Sequence, residues 1–312
     1  MFLESKKYHD DSYFTRQMID GSGVCIYGID FLDDKLKGIH PNELVLIGAK
    51  TGCGKTELVE HIASVNADRG RKVAFIRLEG DCTEFSERQR FKMICDMYYI
   101  DDNKPRVNGL DYASYRLNKT IGIKKYDEQA NELLKRMHKN LILYDKKTIP
   151  STDEVVMIID HIASDVNLVI LDHINYLDFM SCGSEYEGEN RVMIELKRLT
   201  EFRGVPVIVV SHFGKNADKL IPDTSDFIGS SNKSKIANTV IVIAPDYENR
   251  NEINYQYSTF FRIAKSRAGV SSNIVASKVF DGKKKMYKSG YGVRVIQNNG
   301  KSVSDEVIER VN

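Results

Sequence analysis

The chain has 312 residues, a net charge of +1, 42% hydrophobic and 29% charged residues, the balance of a globular protein that can bury a sizeable core. That charge supplies no overall basic field for nucleic acid, although a ring can keep a local basic strip in its channel. The five cysteines (Cys25, Cys53, Cys82, Cys95, Cys182) form no CxxC pair, which argues against a zinc ribbon or a disulfide framework, and the opening MFLESKKYHDDSYF has no apolar signal-peptide core.

Reduced thiols and the lack of a membrane-length apolar run make the cytoplasm the expected compartment, a host's cytoplasm if the protein is viral. Residues 1–27 read as a polar lead-in or linker. From Glu43 onward strands and helices alternate. Leu44–Gly48 (LVLIG) is a buried-type strand, Thr56–Ala67 a helix, and Lys72–Glu79 a second strand. Ser86–Tyr99 is helical, 101–125 polar and irregular, and Tyr126–Lys139 helical. Asn140–Asp145 is a strand. Ser151 and Glu154 form a capping-box signature for a helix to about Ser164. Leu168–Asp172 (LVILD) is a strand, Glu189–Phe202 a helix, and Val205–His212 and Val240–Ala244 are strands. Residues 258–280 alternate like antiparallel strands, and Ser304–Val311 reads as one short helix. Near-continuous apolar strands separated by helices predict a mainly parallel α/β sheet covered on both faces. The expected division is one domain over 28–290 with an extension over 291–312.

The sharpest motif is Gly48-Ala49-Lys50-Thr51-Gly52-Cys53-Gly54-Lys55-Thr56, set between a strand and a helix as a P-loop requires. Its glycines let backbone N–H groups converge on phosphate oxygens, and the helix start adds partial positive charge. Lys55 would reach the β- and γ-phosphates of ATP, and Thr56 would hold Mg²⁺. The strict pattern asks for glycine at Ala49. Asp172 ends an apolar strand where a carboxylate can orient Mg²⁺. Glu79, at the end of the strand after the P-loop helix, could polarise the attacking water. His212 closes another strand, where an imidazole could feel a γ-phosphate, although a lone histidine is commonly structural. Cys53 reads as a small filler within the loop.

The order of P-loop, Glu79, Asp172-His173-Ile174, Ser211-His212 and Lys265-Ser266-Arg267 resembles the motor domain of DnaB-type hexameric helicases. The pattern is most similar to the helicase half of phage primase–helicases. Gly28-Ile29-Asp30-Phe31-Leu32-Asp33 and Gly38-Ile39-His40-Pro41-Asn42-Glu43-Leu44 resemble the family's approach to that domain. The resemblance spans about 27–290. It implies a RecA-like P-loop ATPase that forms a homo-oligomeric, hexameric ring and moves 5′ to 3′ on single-stranded DNA. A separate primase and other replication proteins are the implied partners. By resemblance Glu79 is the catalytic base and His212 the phosphate sensor, while Lys265 and Arg267 act in trans on a neighbour's nucleotide. DNA contacts fall on 179–191 and 213–235, with Lys215, Lys219, Lys233 and Lys235 tracking phosphates. The segment Ser225–Asn232 keeps only part of the family pattern. No zinc-binding segment or second catalytic domain precedes the motor, so primer synthesis is not expected. A RecA- or RadA-like filament-forming recombinase uses the same sheet and P-loop and is the alternative reading. A non-enzymatic accessory factor is a third.

Overall fold

The computed structural model describes residues 25–50, 52–107, 109–145, 148–213, 219–227, 231–253, 255–266, 269 and 272–311. Its frame is one sheet of twelve strands among those residues. Strands β1 (Leu44–Ala49), β2 (Val73–Arg77), β3 (Leu141–Asp145), β4 (Leu168–Asp172), β5 (Val207–His212) and β6 (Thr239–Pro245) run parallel, in the order β6-β1-β5-β4-β2-β3. Beyond β6 the sheet turns antiparallel through β7 (Gln256–Lys265), β8 (Ile274–Asp281) and β10 (Tyr291–Gln297). Short strands β9 (Met286–Tyr287), β11 (Ser302–Val303) and β12 (Glu309–Val311) edge it.

The central strands are apolar on both faces because both faces are covered. Val45, Ile47 and Ala49 point into one core with Leu58, Val59 and Ile62 of helix α2 (Lys55–Asp68). Leu44 and Leu46 point into the other, with Val155 and Ile159 of α6 (Thr152–Ile162) and Val192 and Leu196 of α7 (Glu185–Arg203). The two-residue period of a strand thus divides β1 between two layers. Helix α1 (Asp30–Leu36) joins the first core. Helices α3 (Cys82–Ile100), α4 (Tyr112–Arg116) and α5 (Lys124–His138) build a satellite around Ile94, Tyr126 and Ala130. The short α8 (Ser231–Ile236) precedes β6.

The capping box holds, since the Ser151 side chain accepts from Glu154 N–H and the Glu154 side chain accepts from Ser151 N–H. One expectation changes. The C-terminal helix over 304–311 is absent: Tyr291, Gly292 and Val293 of β10 pair with Val311, Arg310 and Glu309 of β12. An open edge supplies backbone partners that local helix preference cannot match. Tyr291–Gln297, Ser302–Val303 and Glu309–Val311 add strands to the same sheet.

Candidate nucleotide site

The P-loop joins β1 to α2 at the carboxyl edge of the sheet. Gly52 and Gly54 hold φ of 76° and 79°, the left-handed region that other residues enter with strain. Gly54 is the N-cap of α2 and offers no capping side chain. The first-turn N–H groups therefore remain free of a side-chain cap, as an anion site needs. Gly48 has a different reason: a Cβ there would stand 2.5 Å from the Phe227 ring and 2.8 Å from that of Phe213. Ala49, where the strict pattern has glycine, fits as an ordinary buried strand residue paired in register with His212. Thr51 lies outside the described residues.

Lys55 is buried, and its Nζ donates to Lys50 O at 3.0 Å and contacts His212 Nδ1 at 2.9 Å. Burial pulls its ammonium down to about 8, against the charges of Asp172, Cys53 and Glu79. His212 continues the chain, with its Nε2 at 2.8 Å from His173 Nε2. His173 Nε2 is in turn 3.3 Å from Glu79 Oε2. Burial first, then Lys55 and Lys233, push the His212 imidazole down to about 4, so it is neutral at pH 7. Accepting from Lys55 at Nδ1, it donates at Nε2 to His173 Nε2, which then has no proton to give Glu79 and meets that carboxylate as a close contact. Glu79 stands two residues beyond β2, whose last residue is Arg77, and its side chain is 50% exposed. Tyr176 also hydrogen-bonds it.

Asp172 is fully buried at the end of β4, and neither carboxylate oxygen has a well-formed hydrogen bond, the Thr56 hydroxyl making at most a weak one. Burial raises it to about 6, and Glu79 adds to the rise, while the nearby Thr56 hydroxyl and the Lys55 and Arg77 cations oppose it. An orphaned buried carboxylate beside a hydroxyl fits a hard divalent cation bound through oxygen. The structure thus brings together Lys55, Thr56, Glu79, Asp172 and His212. It adds His173, Tyr176 and Asn175, whose amide oxygen accepts from His212 N–H at 3.1 Å. A cavity of about 400 Å³ opens beside the loop, lined by Lys50, Cys53, Pro222 and Tyr247.

The basic residues divide. Lys233 is wholly buried, with its Nζ 2.7 Å from Glu189 Oε2 and 3.0 Å from Ser211 Oγ. This corrects its assignment to DNA phosphates, because the ammonium is buried and already paired. Lys219 pairs with Asp226 at 3.0 Å, and its backbone O accepts from Lys50 Nζ at 3.3 Å. Lys235 is exposed. Lys265 Nζ donates to the carbonyls of Ser234, Lys235 and Ala237 at 2.8, 2.8 and 2.6 Å. Arg267 and Lys215 lie outside the described residues. Among the described residues no helix is long and apolar enough to cross a membrane.

The family description "DnaB-like helicase C terminal domain" matches residues 25–288. The chain belongs to that family. The replicative DNA helicase DnaB of Helicobacter pylori is 26% identical over 230 residues, covering 69% of this chain and 43% of that protein. The DNA helicase/primase of Enterobacteria phage T3 is 25% identical over 235 residues, 72% of this chain and 39% of that one. The chain therefore spans less than half the length of these relatives. Among solved structures, an isolated ATPase domain shares the fold with a TM-score of 0.71 at 17% identity, over 89% of this chain and 95% of the other. A DnaB-like replicative helicase, solved in a study of its interactions with primase, gives 0.73 at 16% identity over 91% and 68%.

Proposed function

We propose that the chain is the ATP-hydrolysing motor of a replicative DNA helicase, a homo-oligomeric ring that moves 5′ to 3′ along single-stranded DNA. The observation that carries this reading is the chain of contacts from Lys55 through His212 and His173 to Glu79. It joins the residue that would grip the phosphates to the carboxylate that would activate water. Family membership supplies the substrate class.

On this reading the P-loop amides and Lys55 bind the phosphates, and the cavity beside Tyr247 receives the nucleoside. Thr56 and Asp172 would hold Mg²⁺, which neutralises charge on the β- and γ-phosphates when bound. Glu79, open to solvent, accepts a proton from the attacking water. His173, packed behind Glu79, confines it. His212 takes a new partner when the phosphates draw Lys55 away. Lys235 and Lys215 are the remaining candidates for DNA phosphates, and a primase is a candidate partner. Arg267 serves the neighbouring subunit's nucleotide.

The test is unwinding of forked DNA carrying either a 5′ or a 3′ single-stranded tail, with ATP turnover followed in parallel. The expected result is DNA-stimulated turnover and unwinding from the 5′ tail. Efficient unwinding from the 3′ tail alone would overturn the polarity. Open filaments on DNA in place of closed rings, seen by electron microscopy, would favour a recombinase.

A further inference from the structure

Among the described residues, the two segments proposed to face DNA, 179–191 and 213–235, are joined in the interior at Glu189 and Lys233. Glu189 of α7 and Lys233 of α8 are both fully buried. Lys233 Nζ donates to Glu189 Oε2 at 2.7 Å and to Ser211 Oγ at 3.0 Å. The other carboxylate oxygen, Glu189 Oε1, accepts from Asn175 Nδ2 at 2.5 Å. Asn175 Oδ1 accepts the backbone N–H of His212 at 3.1 Å. One polar cluster therefore touches four elements: α7, α8, the end of β5, and the turn that follows Asp172.

A well-packed apolar pair of similar volume is often as stable as a buried ion pair. What the pair supplies is a link of fixed length. If α8 shifts away from α7, a carboxylate is left buried and uncompensated. A shift of either helix therefore strains the hydrogen bonds that run on to Asn175 and His212. The far end of α8 is also held, since Lys265 donates to three of the carbonyls that close it. Helix α8 thus lies between the chain's own phosphate sensor and the strand leading to Arg267.

We propose that the buried Glu189–Lys233 pair is a strut coupling single-stranded DNA on these segments to phosphate sensing at His212. The inference rests on the helicase reading above. Glu189 and Lys233 are positioning residues in it, with no contact to substrate. Coupling between two ligands is reciprocal, so the nucleotide state must alter DNA affinity by the factor with which DNA alters nucleotide affinity.

The experiment measures binding of a fluorescent oligothymidylate to the full chain by anisotropy, with a slowly hydrolysed ATP analogue or with ADP, at several salt concentrations. In the wild type the two affinities should differ by about tenfold, within the usual span of allosteric coupling. In the double variant Glu189→Gln/Lys233→Met they should converge to within about twofold. Both charges are removed together because a lone buried charge threatens the fold. Asn175→Ala cuts the strut at His212 with the ion pair intact, and the same convergence is expected there. Its melting temperature, beside that of the double variant, shows that each is folded. Undiminished nucleotide dependence in either folded variant would overturn the strut. So would a salt slope reduced by about one in the double variant, because that marks a lost phosphate contact by Lys233. A wild type that binds DNA equally in both nucleotide states removes the coupling alone. A wild type that binds no DNA removes the helicase reading itself.

Discussion

On the proposed reading, Glu79 and His173 divide one task between an open and a closed position. The Glu79 side chain is half exposed, whereas that of His173 is 4% exposed and lies directly behind it. A carboxylate that accepts a proton from water needs solvent access, and an orienting group needs a fixed place. Glu79→Gln should therefore bind ATP but hydrolyse it at least about 10²-fold more slowly, the low end for a lost general base. It should also hold DNA longer, because the ATP state persists. His173→Ala should lower kcat while leaving KM near the wild-type value, since only the orientation of the base is lost. Steady-state ATPase assays check both, and a Glu79→Gln enzyme that cycles normally would move the role to another carboxylate. The P-loop was legible because its parts are contiguous and each has a local reason. His173 stands in the sequence pattern without a role of its own. Its partners, Glu79 and His212, come from other strands, and only the sheet order brings them together.

At the scale of elements, the strand–helix alternation carried the parallel half of the sheet, and the short pieces were where it failed. Lysines at 233 and 235 read alike in sequence, as cations of a solvated loop. One turn of α8 buries the first against Glu189, 44 residues away, and leaves the second in water. No local pattern encodes that difference. Helix α2 shows a further tertiary dependence. His61 Nε2 donates to Gly28 O at 2.8 Å, tying the P-loop helix to the chain that precedes α1. Gly28 has φ of 66°, and a Cβ there would stand 2.6 Å from His61 Nε2. Burial pushes the His61 imidazole down to about 4, with Lys92 and Lys278 acting in the same direction and the Gly28 carbonyl opposing. Above the ordinary value of about 6.5 the ring is neutral in both folded and unfolded chains and contributes no pH dependence. As pH falls from 6.5 towards 4, the unfolded chain binds a proton that the folded one resists, so stability is lost across that window. At about 1.4 kcal/mol per unit, the loss is on the order of 3 kcal/mol. His61→Gln keeps a donor for Gly28 without the titration, and its melting temperature should fall less steeply over that window. Parallel curves for wild type and variant would exclude His61 as the source.

At the scale of the whole molecule, the direction of β7 bears on the proposal that Arg267 serves a neighbouring subunit. Strand β6 runs parallel to β1, towards the P-loop edge, and β7 runs back against it. The register places Lys265 opposite Val240, and Val240 level with Leu46. At about 3.3 Å per residue, Lys265 is therefore roughly 10 Å short of Ala49 along the strands, on a chain heading away from its own P-loop. A residue soon after Lys265 is better placed to serve another subunit than its own, as the proposed role of Arg267 requires. Arg267→Ala should keep ATP binding, because its own P-loop is untouched. Its hydrolysis should fall by about 10³ or more, the usual magnitude for an arginine finger. The decisive measurement mixes Arg267→Ala with Glu79→Gln subunits, each inactive alone. Where an Arg267→Ala subunit supplies Glu79 and its Glu79→Gln neighbour supplies the arginine, one boundary carries a complete site. ATPase activity should then return in mixed oligomers whose subunits have exchanged, as verified by mass spectrometry of differently tagged chains. A finger acting within its own subunit gives no recovery, since every site then carries a lesion. Verified mixed oligomers without recovered turnover would remove the shared site and weaken the ring-helicase reading with it.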